Sequence, residues 1–250
     1  MSLRSDLSTV VEDLPKRLKG VIKSIEMVGL AINEYTIGVE SQEEPEFCMA
    51  VRLGIPGEVL TRPYSPVRCS GSEIVCIIKL YPLVPGRAQF TPALQGCSVG
   101  DILDVIWYTP KQAIGEILGS TYQDVVMVSA GTGVAPMMQV LEQANRLETK
   151  HRFLSVSFNR GVDSFILKEA SRYPKVDLEI KDVVTNDSPD ERERAIGQLL
   201  MYLKERESER TLYLVCGPDS FVERVAGPRK VAYGGLLADM GVPESRCIKF

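Results

Sequence analysis

The rhythm of hydrophobic and polar positions changes about halfway along the chain. Before residue 119, apolar residues gather in short runs at 21–27, 35–39, 47–53, 73–81 and 101–107, with Pro and Gly punctuating the gaps. Runs of this kind predict β-strands, and the segments between them predict turns. Several short strands with no helical periodicity between them predict a small antiparallel barrel. After Thr121 strand and helix patterns alternate. Residues 125–129 predict a buried strand, and Met137, Val140, Leu141 and Ala144 then recur at helical spacing behind Pro136, a residue suited to a first helical turn. Residues 153–158, 176–180 and 211–215 continue as strands. A helical stretch is expected at 194–203, reached through a solvated charged loop over 186–194. This alternation predicts a parallel sheet with helices on both faces. The expected organisation is an N-terminal extension (1–19), an antiparallel β-barrel domain (20–119) and a Rossmann-like α/β domain (120–250).

Composition narrows the class of partner. A chain of 250 residues with 44% hydrophobic and 25% charged residues can bury a sizeable core. Its formal net charge of −4 supplies no field to attract a polyanion, so nucleic acid is not an expected partner. Six cysteines, Cys48, Cys69, Cys76, Cys97, Cys216 and Cys247, lie far apart without a C-x-x-C pair and read as reduced thiols in a cytosolic setting. No apolar run approaches the roughly 18 residues of a membrane span. Asp6, Glu12 and Asp13 interrupt the opening where a transit peptide would be poor in acid, and Ser2 stands where myristoylation would need glycine. The expectation is a cytoplasmic chain, with membrane association or mitochondrial targeting supplied only by a segment outside this sequence.

Three short strings carry the candidate chemistry. They are Arg62-Pro63-Tyr64-Ser65-Pro66, then Gly131-Thr132-Gly133-Val134-Ala135-Pro136, then Cys216-Gly217-Pro218. Each has a bland reading. The first could be a turn between strands, the glycine pair could close a strand-to-helix turn without a ligand, and Cys216 could be a small buried hydrophobe. Their order gives them meaning: it resembles the ferredoxin reductase superfamily, and from about Gly20 to Phe250 the chain is similar to cytochrome b5 reductases.

The resemblance implies a flavoprotein that takes hydride from NADPH or NADH into FAD and passes single electrons to a protein acceptor such as cytochrome b5 or a ferredoxin-like partner. It assigns Arg62 to the FAD pyrophosphate, where a guanidinium makes bidentate charge-assisted bonds that lysine cannot imitate. Pro63 belongs to the same string. Tyr64 would lie beside the flavin, and Ser65 would offer a hydroxyl near its reactive nitrogen. Ile78, Lys79 and Tyr81 match the strand lining the flavin, and Gln89, Phe90 and Thr91 the loop that holds the pyrophosphate. Gly131, Thr132, Gly133 and Pro136 correspond to the nucleotide turn, with Thr132 between the two cofactors. Cys216, Gly217 and Pro218 end the strand whose carboxyl end faces the nicotinamide. Phe221 would pack behind that pocket, and Phe250 would lie beside the site.

The sequence also departs from the family pattern. Ala88-Gln89-Phe90 stands where a glycine and a lysine are usual, with Arg87 as a nearby substitute cation, and Trp107-Tyr108-Thr109-Pro110-Lys111 replaces an arginine, glycine and proline string. After Asn159 and Arg160, Ser164 occupies the position where NADH-using relatives tend to carry aspartate. A missing carboxylate and an added guanidinium favour a 2′-phosphate, so NADPH is expected to be accepted. The single histidine, His151, lies between Lys150 and Arg152 and reads as a surface residue at the start of a strand. One histidine excludes haem held by two, the cysteine spacing does not match plant-type iron–sulfur ligation, and no metal site is expected. A second reading stays open: a flavin-free or non-catalytic electron-transfer or sensing subunit on the same fold.

Overall fold

A computed structural model describes residues 17–40, 50–86, 89–107, 114–160, 165–185 and 188–250. The first half forms one antiparallel sheet of β1 (Arg17–Gly29), β2 (Ile32–Val39), β3 (Val51–Gly54), β4 (Thr61–Tyr64), β5 (Arg68–Ser70), β6 (Glu73–Lys79) and β7 (Ile102–Trp107). Its order is β4-β3-β7-β1-β2-β6-β5, a half-barrel rather than a closed one among the described residues. Ile22, Tyr35, Ile37, Leu53, Leu103 and Val105 fill its concave side. The short helix α1 (Phe90–Gln95) adds Phe90 and Leu94 to that core, and α2 (Ile114–Leu118) leads out of the sheet.

The second half alternates. It comprises β8 (Asp124–Ala130), α3 (Ala135–Leu147), β9 (Arg152–Arg160), α4 (Phe165–Glu169), β10 (Asp177–Thr185), α5 (Pro189–Arg206), β11 (Thr211–Cys216), α6 (Asp219–Ala226), α7 (Gly235–Asp239) and β12 (Cys247–Lys249). The five strands are parallel in the order β10-β9-β8-β11-β12. α2, α3 and α4 cover one face, with Met137, Val140 and Leu141 on Val125 and Met127. α5, α6 and α7 cover the other, with Leu199, Leu203, Val222 and Leu237 on Val126 and Val128.

The first of these two cores does not stop at the parallel sheet. It takes in Val67, Val75 and Ile77 from the antiparallel sheet, so one apolar cluster runs through both halves. β6 is therefore buried on both faces: Ile74, Cys76 and Ile78 point into the half-barrel, while Val75 and Ile77 point toward the second half. Polar ties reinforce the seam. Arg68 of β5 bonds Glu34 of β2 and, at 3.1 Å, Glu169 of α4, while Lys168 Nζ donates to the Val28 carbonyl at 3.1 Å.

Several boundaries differ from the sequence expectation for identifiable reasons. β1 begins at Arg17, where Arg17 pairs with Ile106 and its side chain reaches Asp104, so residues 17–19 belong to the sheet and not to an extension. Arg62-Pro63-Tyr64 lies in β4 rather than in a turn; β4 is an edge strand, where a residue without an N–H costs no ladder bond. α5 begins at Pro189, five residues before the helical stretch expected at 194, behind Ser188 and with Asp190 and Glu191 in its first turn. His151 is a correction. It does precede β9, but it is buried, not at the surface, and burial pulls its pKa below the ordinary histidine value.

Candidate functional site

The carboxyl ends of β8, β9 and β11 open into a crease against the half-barrel, where an open parallel sheet presents ligands. Two recesses meet there, sharing Tyr64, Lys79 and Thr132. The smaller, about 300 Å³, is lined by Arg62, Tyr64, Lys79, Tyr81, Gln89, Phe90, Thr91 and Thr132. The larger, about 1030 Å³, runs from Pro63, Ser65 and Ile77 past the glycine turn to Asn159, Arg160 and the start of α5.

The smaller recess owes its shape to the segment after β6. The Tyr81 amide donates to Thr91 Oγ1 at 3.2 Å, and the Val84 amide donates to Gln89 Oε1 at 2.6 Å, tying the segment after β6 to the start of α1. Gln89 thus spends its carbonyl on the loop, while the Thr91 hydroxyl proton stays available to a ligand. Lys79 Nζ stands 5.7 Å from the Tyr81 ring centre, and Tyr64 packs on Phe90 at 5.9 Å. Burial raises the Tyr64 pKa, so the phenol stays protonated.

The larger recess is built on close backbone approach. After β8, residues Gly131–Val134 make a single tight turn into α3, with Gly131 at φ +55° and Pro136 in the first helical turn. At Gly133 an added Cβ would lie 2.7 Å from the Cys216 carbonyl carbon and oxygen and from Gly217 Cα. The two expected nucleotide strings therefore touch each other. Cys216 ends β11 with its thiol pKa raised by burial and partly restored by Arg229. Phe221 packs at a tilt on Phe158 with ring centres 5.2 Å apart, and Asn159 Nδ2 donates to Asp182 Oδ1 at 2.6 Å.

Nearly every residue expected from sequence comes to this crease, with three exceptions. Ile78 points into the half-barrel core, and its neighbour Ile77 lines the recess instead. Phe250 lines neither recess; its amide donates to the Val215 carbonyl and its side chain packs on the apolar cluster between the sheets. Ser164 lies outside the described residues, as do Arg87, Ala88 and 108–111. The sequence reading missed Ala31, Phe165, Arg192 and Arg224 on the larger recess. Of these only Arg192 carried a signal, lying one turn inside a helix whose start was readable from Ser188-Pro189.

An antiparallel half-barrel followed by a parallel α/β sheet, with a glycine turn in the crease, is the architecture of ferredoxin reductase-like proteins. Residues 127–227 match the Oxidoreductase NAD-binding domain family. "Cytochrome b5 reductase 4" of Xenopus tropicalis is 22% identical over 195 residues, which is 70% of this chain and 36% of that protein. The chain thus spans about a third of the length of the first curated relatives it matches. The cytochrome b5 reductase domain of Ulva prolifera nitrate reductase superposes with a TM-score of 0.67 at 19% identity, covering 94% of this chain and 97% of that one. A flavohemoglobin from Malassezia yamatoensis, solved with bound FAD and heme, gives 0.73 at 12% identity over 94% of this chain and 59% of that one. The chain is thus similar in sequence to cytochrome b5 reductases and shares the fold of these reductase structures.

Proposed function

We propose that the chain is an FAD-dependent NAD(P)H oxidoreductase that delivers single electrons to a redox protein. The observation that carries this reading is the meeting of two different recesses at Tyr64, Lys79 and Thr132. One offers two cations, Arg62 and Lys79, and the Thr91 hydroxyl, a donor set that suits a diphosphate. The other offers the glycine turn at Gly131 and Gly133, whose backbone packs directly on Cys216 and Gly217 at the recess wall. The residues present therefore fit a flavin dinucleotide beside a pyridine nucleotide.

When bound, the flavin supplies two-electron acceptance and one-electron release, chemistry no side chain can provide. What the chain contributes is placement. Arg62 and Lys79 would hold the diphosphate, the protonated Tyr64 and the Ser65 hydroxyl would border the ring, and Thr132 stands where both recesses meet. Gly133 and Gly217 would let backbone approach a bound nucleotide closely, and Ile77, Ala135 and Phe158 would supply apolar wall against its ring. No general base is needed, which agrees with a sole histidine buried away from both recesses. The same reading divides the chain into a flavin-binding unit up to about residue 119 and a nucleotide-binding unit from 120.

NADPH is the nucleotide this crease suits. Arg160 ends β9, and Arg192 and Arg224 approach from α5 and α6. Among the described lining residues the sole carboxylate is Glu193, and it is paired with Arg224 at 2.6 Å. Three guanidinium groups gathered on one side of the crease favour a 2′-phosphate over a bare ribose. The ratio of kcat/KM for NADPH to that for NADH is expected to exceed one and to fall in Arg160→Ala and Arg192→Ala. A large NADH preference in the unmodified protein would sink this assignment.

A further inference from the structure

The loop after α6 is tied down by two cations. Lys249 Nζ donates to the carbonyls of Ala226, Pro228 and Ala232 at 3.3, 2.9 and 2.7 Å, so the loop wraps around one ammonium from β12. The loop also closes on itself. Gly227 sits at φ +80°, and a Cβ there would come within 2.6 Å of the Gly234 amide. This closure holds Arg229 over the end of β11.

Arg229 then bonds three separate segments. Its Nη2 donates to the Gly217 carbonyl at 2.6 Å, its Nε donates to the Phe250 carbonyl at 2.6 Å, and its Nη1 pairs with Asp219 at the start of α6. The guanidinium also lies against the Cys216 thiol and opposes the effect of burial on it. Gly217 in turn lines the cleft and touches Gly133 of the opposing turn. A shift at Gly217 therefore changes the spacing between the two turns that floor the cleft.

We infer that Arg229 is a positioning residue: its fork fixes the Cys216-Gly217-Pro218 end of β11 against the Gly131-Thr132-Gly133 turn and so sets the geometry of hydride transfer. Lysine keeps the charge but concentrates its donors on one atom, whereas the guanidinium spreads them over a planar fork wide enough to reach Gly217, Asp219 and Phe250 at once. The inference rests on the oxidoreductase reading for its catalytic readout, and on hydrogen exchange independently of it.

The test compares the FAD-loaded protein with Arg229→Lys, Arg229→Gln and Asp219→Asn, the last keeping the arginine in place should the others fold poorly. Small misplacement of reacting atoms costs about 100-fold, so the limiting rate of flavin reduction by NADPH is expected to fall by about 10- to 100-fold in both Arg229 variants. ADP-ribose affinity, which reports the far end of the nucleotide, is expected to stay within about twofold. Amide exchange should quicken over 215–222 and 247–250 and stay unchanged over 152–160. Wild-type reduction rates in the Arg229 variants, or unaltered exchange at 215–222, would overturn the inference. If nucleotide fails to reduce the unmodified protein, the oxidoreductase reading fails, and exchange still decides whether Arg229 holds the floor.

Discussion

A methyl group at Gly133 would stand 2.7 Å from the Cys216 carbonyl carbon and oxygen, backbone that has no rotamer to give. Gly133→Ala is therefore expected to cost about 1–3 kcal/mol in urea unfolding and to weaken nucleotide binding, whereas near-wild-type values for both would show that the two turns can part. Parity along β6 gives a second test at this scale. Ile77→Ala and Ile78→Ala should each cost about 2–5 kcal/mol, but only Ile77→Ala should lower FAD affinity, because only Ile77 faces the recess. Equal losses of FAD would contradict that placement. The strand was readable and its parity was not, since β6 is apolar on both faces and offers no polar alternation to read. His151 was misread for a related reason: its charged neighbours in sequence do not reveal what packs on its ring, which is Phe153 and the backbone at Ser120. Burial holds its folded pKa below the unfolded value near 6.5, so the unfolded chain binds the proton first. Stability is full above that pH and should decline as pH falls through 6.5 toward the lower folded value. Thermal denaturation of His151→Gln should lack this decline, and an identical limb in both proteins would assign it to other groups.

At the scale of elements, the stretches with strong periodicity were legible and the marginal ones were not. The glycine turn, α3 and the central strands β8, β9 and β11 appear where the pattern placed them. The edge strands β4 and β5, four and three residues long, did not announce themselves, because edge strands are short and tolerate proline. β10 runs to Thr185, beyond the expected 180, since a sheet-edge strand can carry Lys181 and Asp182 without burying them deeply. The same edges build the seam. Arg68 on β5 reaches both Glu34 and Glu169, with about a quarter of its side chain exposed. Arg68→Ala is expected to destabilise by about 1–3 kcal/mol, more than an exposed pair would. A loss below about 0.5 kcal/mol in urea unfolding would show that the apolar cluster alone holds the halves together.

For the whole molecule, the informative fact is that three strings far apart in sequence converge on one crease. Arg62 arrives from an edge strand of the first sheet, Thr132 from the turn after β8 and Cys216 from the end of β11. Their order in the sequence suggested this convergence, while the second wall of the cleft depended on how helices pack, and only Arg192, behind Ser188-Pro189, carried a signal for it. Among the described residues no helix is long and apolar enough to cross a membrane. Similarity to cytochrome b5 reductases is what supports a redox protein as the proposed acceptor.

The most direct measurement is a visible absorption spectrum of the purified protein after addition of FAD and removal of the excess, followed by anaerobic titration with NADPH and then NADH. The expected result is retained flavin bands that bleach on nucleotide addition, with NADPH at least as effective as NADH. A folded protein that retains no flavin, or retains flavin that neither nucleotide bleaches, would contradict the oxidoreductase reading and favour a non-catalytic subunit on this fold.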